Sequence, residues 1–143
     1  MRTSAIFSGR FYFMTKRSIE SAIKKINQCK EQGQFLEALI RTYHLNSNLV
    51  CFLLESSVPH LSLQQKKIKE VMALFSLEIE MNSKLKTLIP KKNLKPVKQW
   101  LKQMDEFFKS LKSIYPKSTQ TLQNQGDAVF ALLNISANKV FSR

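Results

Sequence analysis

One segment of the chain carries six polar side chains at alternating spacings of three and four residues. They are Glu37, Arg41, His44, Asn48, Cys51 and Glu55. Residues at these spacings are neighbours on a helix, so the pattern predicts that all six share one helical face. We interpret the first four as a candidate binding stripe. In this stripe Glu37 and Arg41 could form an ion pair. The side chains of Arg41, His44 and Asn48 could contact a phosphate or a partner helix, and His44 could act as a general base. The alternative is an ordinary solvent-facing stripe.

A second set of candidate residues comes from the uneven distribution of charge. The net charge is +13, and residues 82–117 contribute +8, from ten lysines against Asp105 and Glu106. Lysines attract phosphate without reading sequence, so this block predicts RNA or DNA contact through the phosphates. The alternative is a solvated lysine-rich surface. The candidate anion-contacting residues are Lys91, Lys92, Lys95, Lys98, Lys102, Lys109 and Lys112.

Other common kinds of site have no support in the sequence. Gly9, Gly33 and Gly126 stand alone, so there is no glycine-rich phosphate loop. The two cysteines and two histidines are too widely spaced for a typical metal-ligand pair, and no carboxylates form a recognisable catalytic pair. We therefore expect no metal, no cofactor and no catalytic residues. Two packed, reduced thiols are typical of a cytoplasmic protein.

The candidate stripe lies on the most apolar long segment, Gln34–Ser56, which predicts a central helix. A helix that is apolar over most of its circumference must be surrounded by other elements. Thr42, Asn46 and Ser47 interrupt its apolar arc. We expect them to bond helix carbonyls or a neighbouring helix, or to form a polar seam that sets the register of a dimer.

Apolar residues at helical spacing predict four further helices and no strand, so the expected fold is all-α, a single-domain bundle of about five helices packed antiparallel, up and down, with no sheet. Gly33 should end the first helix, and Gly126 in the last helix indicates a kink or a close helix approach. The predicted bounds of the other helices are Thr15 or Ser18 to Gln32, Ser62 to Ile89, Asn93 or Pro96 to Pro116, and Ser118 or Thr119 to Phe141.

The beginning of the sequence fits this bundle poorly. Residues 1–16 lack acidic side chains and are apolar in short patches only. These residues predict an extension that lies outside the domain. The helical bundle domain would then cover residues 17–143. An upstream start codon with Met14 as the true initiator would explain them, as would a flexible tail or a targeting segment. No apolar run has the length of a membrane span.

The turn and helix start Gly33-Gln34-Phe35-Leu36-Glu37-Ala38-Leu39 resembles the first helical hairpin of the HEPN family of small helical bundles. The resemblance implies an all-α, often dimeric protein. Active ribonucleases of that family carry an arginine, four to six residues and then a histidine near a late helix, which this chain lacks. Arg41 and His44 are only two residues apart and lie early, so the resemblance implies a non-catalytic member, of which some are paired with a nucleotidyltransferase.

Three functions are therefore expected, in this order. The first is a non-catalytic helical interaction module that forms a homodimer and is the partner of another protein, namely a nucleotidyltransferase or an RNA-related system. The second is non-specific nucleic-acid binding through the block Lys84–Lys117. The third is a ribonuclease whose site follows no recognised motif.

Overall fold

The computed structural model describes residues 14–58, 61, 63, 66–110 and 116–142, with side chains described at all of them except 116–118. Helices are the only regular secondary structure among these residues, so the prediction of an all-α fold is confirmed for them. The helices are α1 (Lys16–Glu31), α2 (Phe35–Ser57), α3 (Ile68–Met81), α4 (Ser83–Leu88), α5 (Lys91–Lys109) and α6 (Pro116–Phe141).

Helix α1 is bounded by local hydrogen bonds that its sequence dictates. The Thr15 hydroxyl accepts from the Ser18 backbone N–H at 3.0 Å, and the Ser18 hydroxyl accepts from the Thr15 N–H at 3.0 Å. This reciprocal cap satisfies two donors at the helix start. At the other end Gly33 adopts φ +76°, and the N–H of Gln34 reaches back to the Cys29 carbonyl at 2.8 Å. The predicted glycine stop is confirmed, because this left-handed position favours glycine.

Helix α2 is the central element, as its apolar circumference predicts. It contacts each of the other five helices. Its buried side chains include Leu39, Leu49 and Leu53, which are fully excluded from solvent. Buried apolar residues of all six helices join it in one cluster, so the described helices share a single core.

The prediction of one continuous third helix is wrong, because the chain breaks at Asn82. Asn82 has extended backbone angles (φ −110°, ψ 105°) and ends α3 while it caps α4. Its side-chain oxygen accepts from the Leu85 N–H at 3.1 Å, and its side-chain nitrogen donates to the Ser57 carbonyl at 3.2 Å. The amide thus satisfies the start of α4 and ties it to the end of α2.

Two further boundaries differ from the sequence prediction. Helix α5 begins at Lys91, before the predicted start, and tolerates Pro96 in its second turn. Pro116, which we expected to end the preceding helix, is instead the first residue of α6. Proline suits a first helical position, because its missing N–H would have no intrahelical partner there. The expected cap at Ser62 lies outside the described residues.

The described part of the chain therefore has six helices where the sequence predicted about five. Their up-and-down antiparallel order stays a prediction. In the ranges that the structure describes, every helix is too short or too polar to span a bilayer.

Candidate functional site

The predicted stripe on α2 passes from solvent into the core. Glu37 and Arg41 are exposed, His44 and Asn48 are half-buried, and Cys51 is completely buried. The expected ion pair is present, with the Arg41 Nε 2.9 Å from a Glu37 carboxylate oxygen. Of the six stripe residues, Cys51 alone is therefore fully shielded from a ligand in this conformation.

Three of the four predicted binding residues line one surface pocket between α1 and α2. Arg41, His44 and Asn48 form its α2 wall, and Lys25 with small side chains forms its α1 wall, around a volume of about 370 Å³. Glu37 is not part of this wall but holds the Arg41 guanidinium at its edge. The structure thus brings the stripe to a cationic, open pocket.

The chemistry available in this pocket is limited. Burial and the neighbouring Arg41 guanidinium lower the pKa of His44, against a smaller opposing effect of Glu37. A neutral imidazole is a competent base, but no carboxylate or thiol lines the pocket. The Ser18 hydroxyl at its edge donates to the Thr15 carbonyl at 2.9 Å. The Ser21 hydroxyl also lines the pocket, but without a carboxylate in the lining the pocket holds no complete set of serine, histidine and acid.

The polar residues on the inner side of α2 form a hydrogen-bonded network within the chain. Gln123 of α6 donates from its side-chain nitrogen to the Thr42 hydroxyl and to an Asp127 oxygen, each at 2.9 Å. The other Asp127 oxygen lies 2.9 Å from the Lys30 ammonium of α1. Thr42 in turn donates to the Ala38 carbonyl at 2.9 Å. Thr42 thus bonds a helix carbonyl and a residue of α6, as the structural interpretation expects, whereas a polar seam between two copies of the chain stays a prediction.

Asn46 of α2 and Gly126 of α6 lie in the same contact between these two helices. Asn46 is fully buried, and its side-chain nitrogen donates to the Gly126 carbonyl at 3.1 Å. On the other side of Gly126 lies Trp100 of α5, which is 2% exposed and donates its indole N–H to the Leu122 carbonyl at 2.9 Å. The expected close helix approach at Gly126 is thus present, and Trp100 belongs to the core.

The predicted lysine row lies along the outer face of α5. All of its described members are exposed. Lys91 forms an ion pair with Glu80, and the Lys109 ammonium lies 3.0 Å from an Asp105 oxygen. The described lysines of the row are Lys91, Lys92, Lys95, Lys98, Lys102 and Lys109, whereas Lys112 lies outside the described residues.

One large concave surface was not anticipated from the sequence. It is a groove of about 670 Å³ between α3 and α5, lined mainly by carbon atoms. Met72 and Leu101 form its floor, with Ile68 and Ala73 beside them. Polar and charged groups surround this floor, namely Lys69, Ser76, Lys98, Gln99, Lys102, Asp105, Glu106 and Lys109. We call it the α3–α5 groove.

The sequence holds a partial signal for this groove. Three lysines of the predicted row line one side of it, namely Lys98, Lys102 and Lys109. The small Ala73, exposed on α3, leaves room beside the floor. What the sequence could not show is that α3 lies beside α5, because two amphipathic stripes do not specify their pairing.

Metal chemistry has no support in the described ranges. There, no three histidine, cysteine, aspartate or glutamate side chains come close enough to hold an ion. His60, the second histidine, lies outside those ranges.

Comparison with known proteins adds no relative to this picture. No protein-family model matches the chain, and no curated protein and no solved structure matches it. The resemblance to HEPN bundles stays a prediction from residues 33–39.

Proposed function

We propose that the protein is a non-catalytic helical interaction module that binds another protein in the α3–α5 groove. The observation that carries this proposal is the groove itself, which has an apolar floor at Met72 and Leu101 and charged edges. A concave apolar surface with a polar rim is typical of sites where a helix of a partner docks. HEPN-like bundles without the late arginine–histidine motif would have the same kind of role.

The chemistry at the other candidate surface supports a non-catalytic role. In the α1–α2 pocket Arg41 is paired with Glu37, and His44 has no carboxylate beside it in the pocket wall. A general base accelerates a reaction only when it is placed against a reacting group. Ribonuclease activity that survives purification and disappears in His44→Ala would overturn this part of the proposal.

Binding at the groove can be tested without knowing the natural partner. Amide chemical shifts of α3 and α5 would be followed by NMR while four probes are added: an acidic amphipathic peptide, polyglutamate, single-stranded RNA and duplex DNA. We expect the peptide to perturb amides around Met72 and Leu101. If no probe perturbs the amides of the groove, the proposed module has no binding surface there and the proposal fails.

Self-association is part of the same proposal. Leu77 and Met81 are one turn apart on α3, and they are 56% and 69% exposed. Exposed neighbouring apolar side chains mark interaction sites. We expect light scattering to show a dimer that Leu77→Gln with Met81→Gln converts to a monomer. A wild-type monomer at high concentration would remove the homodimer from the proposal.

Non-specific nucleic-acid binding is the second candidate, favoured by the exposed lysines of α5. Lys95, Lys98 and Lys102 carry no ion pair among the described residues and share one face. Log affinity falls as log salt concentration rises, and each lysine–phosphate contact should make this slope steeper by about 0.9 units. Replacing these three by glutamine should therefore flatten the slope by roughly 2 to 3 units. Absence of binding to RNA and DNA at about 50 mM salt would eliminate this candidate.

A further inference from the structure

The α3–α5 groove has charged groups on both of its sides. Lys69 belongs to α3, and Lys98 and Lys102 belong to α5, so lysines flank the apolar floor on either side. None of these three forms an ion pair with a described residue. The groove therefore presents three free positive charges around a strip of carbon surface.

The acidic groups of the groove only partly offset these lysines. Asp105 is engaged by the Lys109 ammonium at 3.0 Å, which leaves Glu106 as the remaining carboxylate of the lining. Four lysines face two carboxylates in the lining, so the local charge is positive. A ligand with negative charge on both flanks would meet opposite charge on both sides.

The dimensions of the groove suit a short helix. Its α5 side runs from Lys98 to Lys109, which is about 16 Å of helix, or roughly three turns. A helix that docks into an apolar groove presents side chains at i, i+3, i+4 and i+7 to the floor. The flanking positions of such a helix would then lie against the lysines.

Charge also argues against other occupants. A second copy of this chain that docked groove to groove would bring Lys69, Lys98 and Lys102 against the same lysines of its partner, so like charges would meet there. Residues 1–13 of the chain itself contain Arg2 and Arg10 and no acidic side chain, so they lack the complementary charge. Nucleic acid would satisfy the lysines but would leave the apolar floor at Met72 and Leu101 without a partner.

We propose that the α3–α5 groove binds an acidic amphipathic helix of a partner protein, whose apolar stripe covers Met72 and Leu101 and whose carboxylates meet Lys69, Lys98 and Lys102. This inference rests on the proposed interaction function and specifies the chemistry of the partner. The apolar contact supplies most of the affinity, and the carboxylates select orientation and exclude basic helices.

The test uses the full chain and a fluorescent, lactam-stapled peptide of about 15 residues, or four turns, with leucines at i, i+3, i+4 and i+7 and glutamates on both flanks. One control peptide replaces every glutamate with glutamine, and a second scrambles the order at constant composition. Fluorescence anisotropy would be measured at about 50 mM and about 300 mM salt. We expect the acidic peptide to bind with at least a fivefold advantage at low salt over both controls.

Two matched variants test whether the peptide binds in the α3–α5 groove. Ala73→Gln places a polar side chain beside the groove floor and should weaken binding about tenfold. Ala131→Gln makes the same change at an exposed alanine of α6 and should leave the affinity unchanged. Both alanines are exposed, so neither variant disturbs the core, and thermal melting verifies this.

The lysines are tested in the same way. Lys98→Gln with Lys102→Gln should weaken the acidic peptide about three- to tenfold at low salt, and the loss should shrink at high salt. Lys16→Gln with Lys24→Gln removes two exposed lysines of α1 as the matched control and should have no comparable effect.

Each outcome decides between the inference and its alternatives. If the glutamine peptide binds as well as the acidic one and Ala73→Gln weakens both, the interaction function stands and the acidic partner is wrong. If single-stranded RNA displaces the acidic peptide and binds more tightly, nucleic acid is the occupant. If Ala73→Gln and Ala131→Gln behave alike, or no peptide binds at about 100 μM, the groove is not the docking site and both proposals fail.

Discussion

The indole of Trp100 packs directly against the backbone of Gly126, so that α5 and α6 approach each other where a larger residue could not fit. A Cβ atom built on Gly126 would lie 2.6 Å from the Trp100 Cζ2 and 3.1 Å from the Thr42 Cγ2. Glycine at this point costs helix propensity of about 1 kcal/mol relative to alanine. The close contact between three helices is the compensating gain.

Gly126→Ala should therefore destabilise the protein, although alanine is the better helix former. Overpacking against a rigid indole costs about 1–3 kcal/mol, and the gain in propensity offsets up to about 1 kcal/mol of it. We expect a lower free energy of unfolding in urea titration, with no change in helix content by circular dichroism.

A double-mutant cycle with Trp100→Leu isolates this contact. Removing the indole leaves space for the alanine methyl group, so the two substitutions together should cost less than the sum of their separate costs. If the losses in free energy of unfolding add, the cost of Gly126→Ala does not come from its contact with Trp100.

Asn82 offers a second test, at the break between α3 and α4. Asn82→Ala removes both the cap to Leu85 and the bond to the Ser57 carbonyl. Losing a side-chain cap costs about 0.5–2 kcal/mol, and the lost tertiary bond adds to it. We expect a total destabilisation of about 1–3 kcal/mol in denaturant titration.

The matched control for that change is Asn27→Ala. Asn27 is exposed within α1, so the same substitution there should be neutral or slightly stabilising because alanine favours helix. Equal costs at Asn82 and Asn27 would contradict the assigned role of Asn82.

Asn82 also shows which parts of the fold the sequence could predict. Val97, Trp100, Leu101 and Met104 follow a helical period, and all four are buried in the structure. Burial of such a stripe depends on spacing along one helix, which a sequence displays directly. At Asn82, in contrast, the apolar period continues across the break between α3 and α4. The contact that fixes this break is the hydrogen bond from Asn82 to the carbonyl of Ser57, which lies 25 positions away in the sequence.

The same distinction applies to the candidate sites. The grouping of Arg41, His44 and Asn48 followed from their spacing on one helix, and the structure places all three in one pocket. The partner wall with Lys25 and the whole α3–α5 groove depend on which helices lie side by side. That pairing is settled by packing between helices, so neither surface could be defined from the sequence alone.

The two cysteines should differ in reactivity although neither forms a disulfide bond. Cys29 is 8% exposed and Cys51 is completely buried. Thiol reagents require access to the sulfur, so Ellman's reagent should modify Cys29 slowly and Cys51 more slowly still in the native protein. Both should react at once in guanidinium chloride. In the variant Cys29→Ala only Cys51 remains, so its reaction assigns the slower phase. Fast modification of Cys51 in the native protein would contradict its burial.

His44 should titrate below the ordinary value of 6.5, because burial and Arg41 both disfavour its charged form. NMR titration of the imidazole signals measures this pKa directly, and His44→Gln assigns the signal by removing it. Arg41→Gln should raise the pKa of His44, whereas Glu37→Gln should lower it further because that carboxylate favours the imidazolium. Movement of the pKa in the same direction in both variants would contradict the assigned causes.

The lowered pKa of His44 also predicts how stability depends on pH. The folded state binds this proton less tightly than the unfolded chain, whose histidine keeps a pKa of about 6.5. The contribution of His44 to stability is therefore fully present above about pH 6.5 and is lost as the pH falls below it. Denaturant titrations of wild type and His44→Gln between about pH 7.5 and pH 5 should show a smaller loss of stability in the variant.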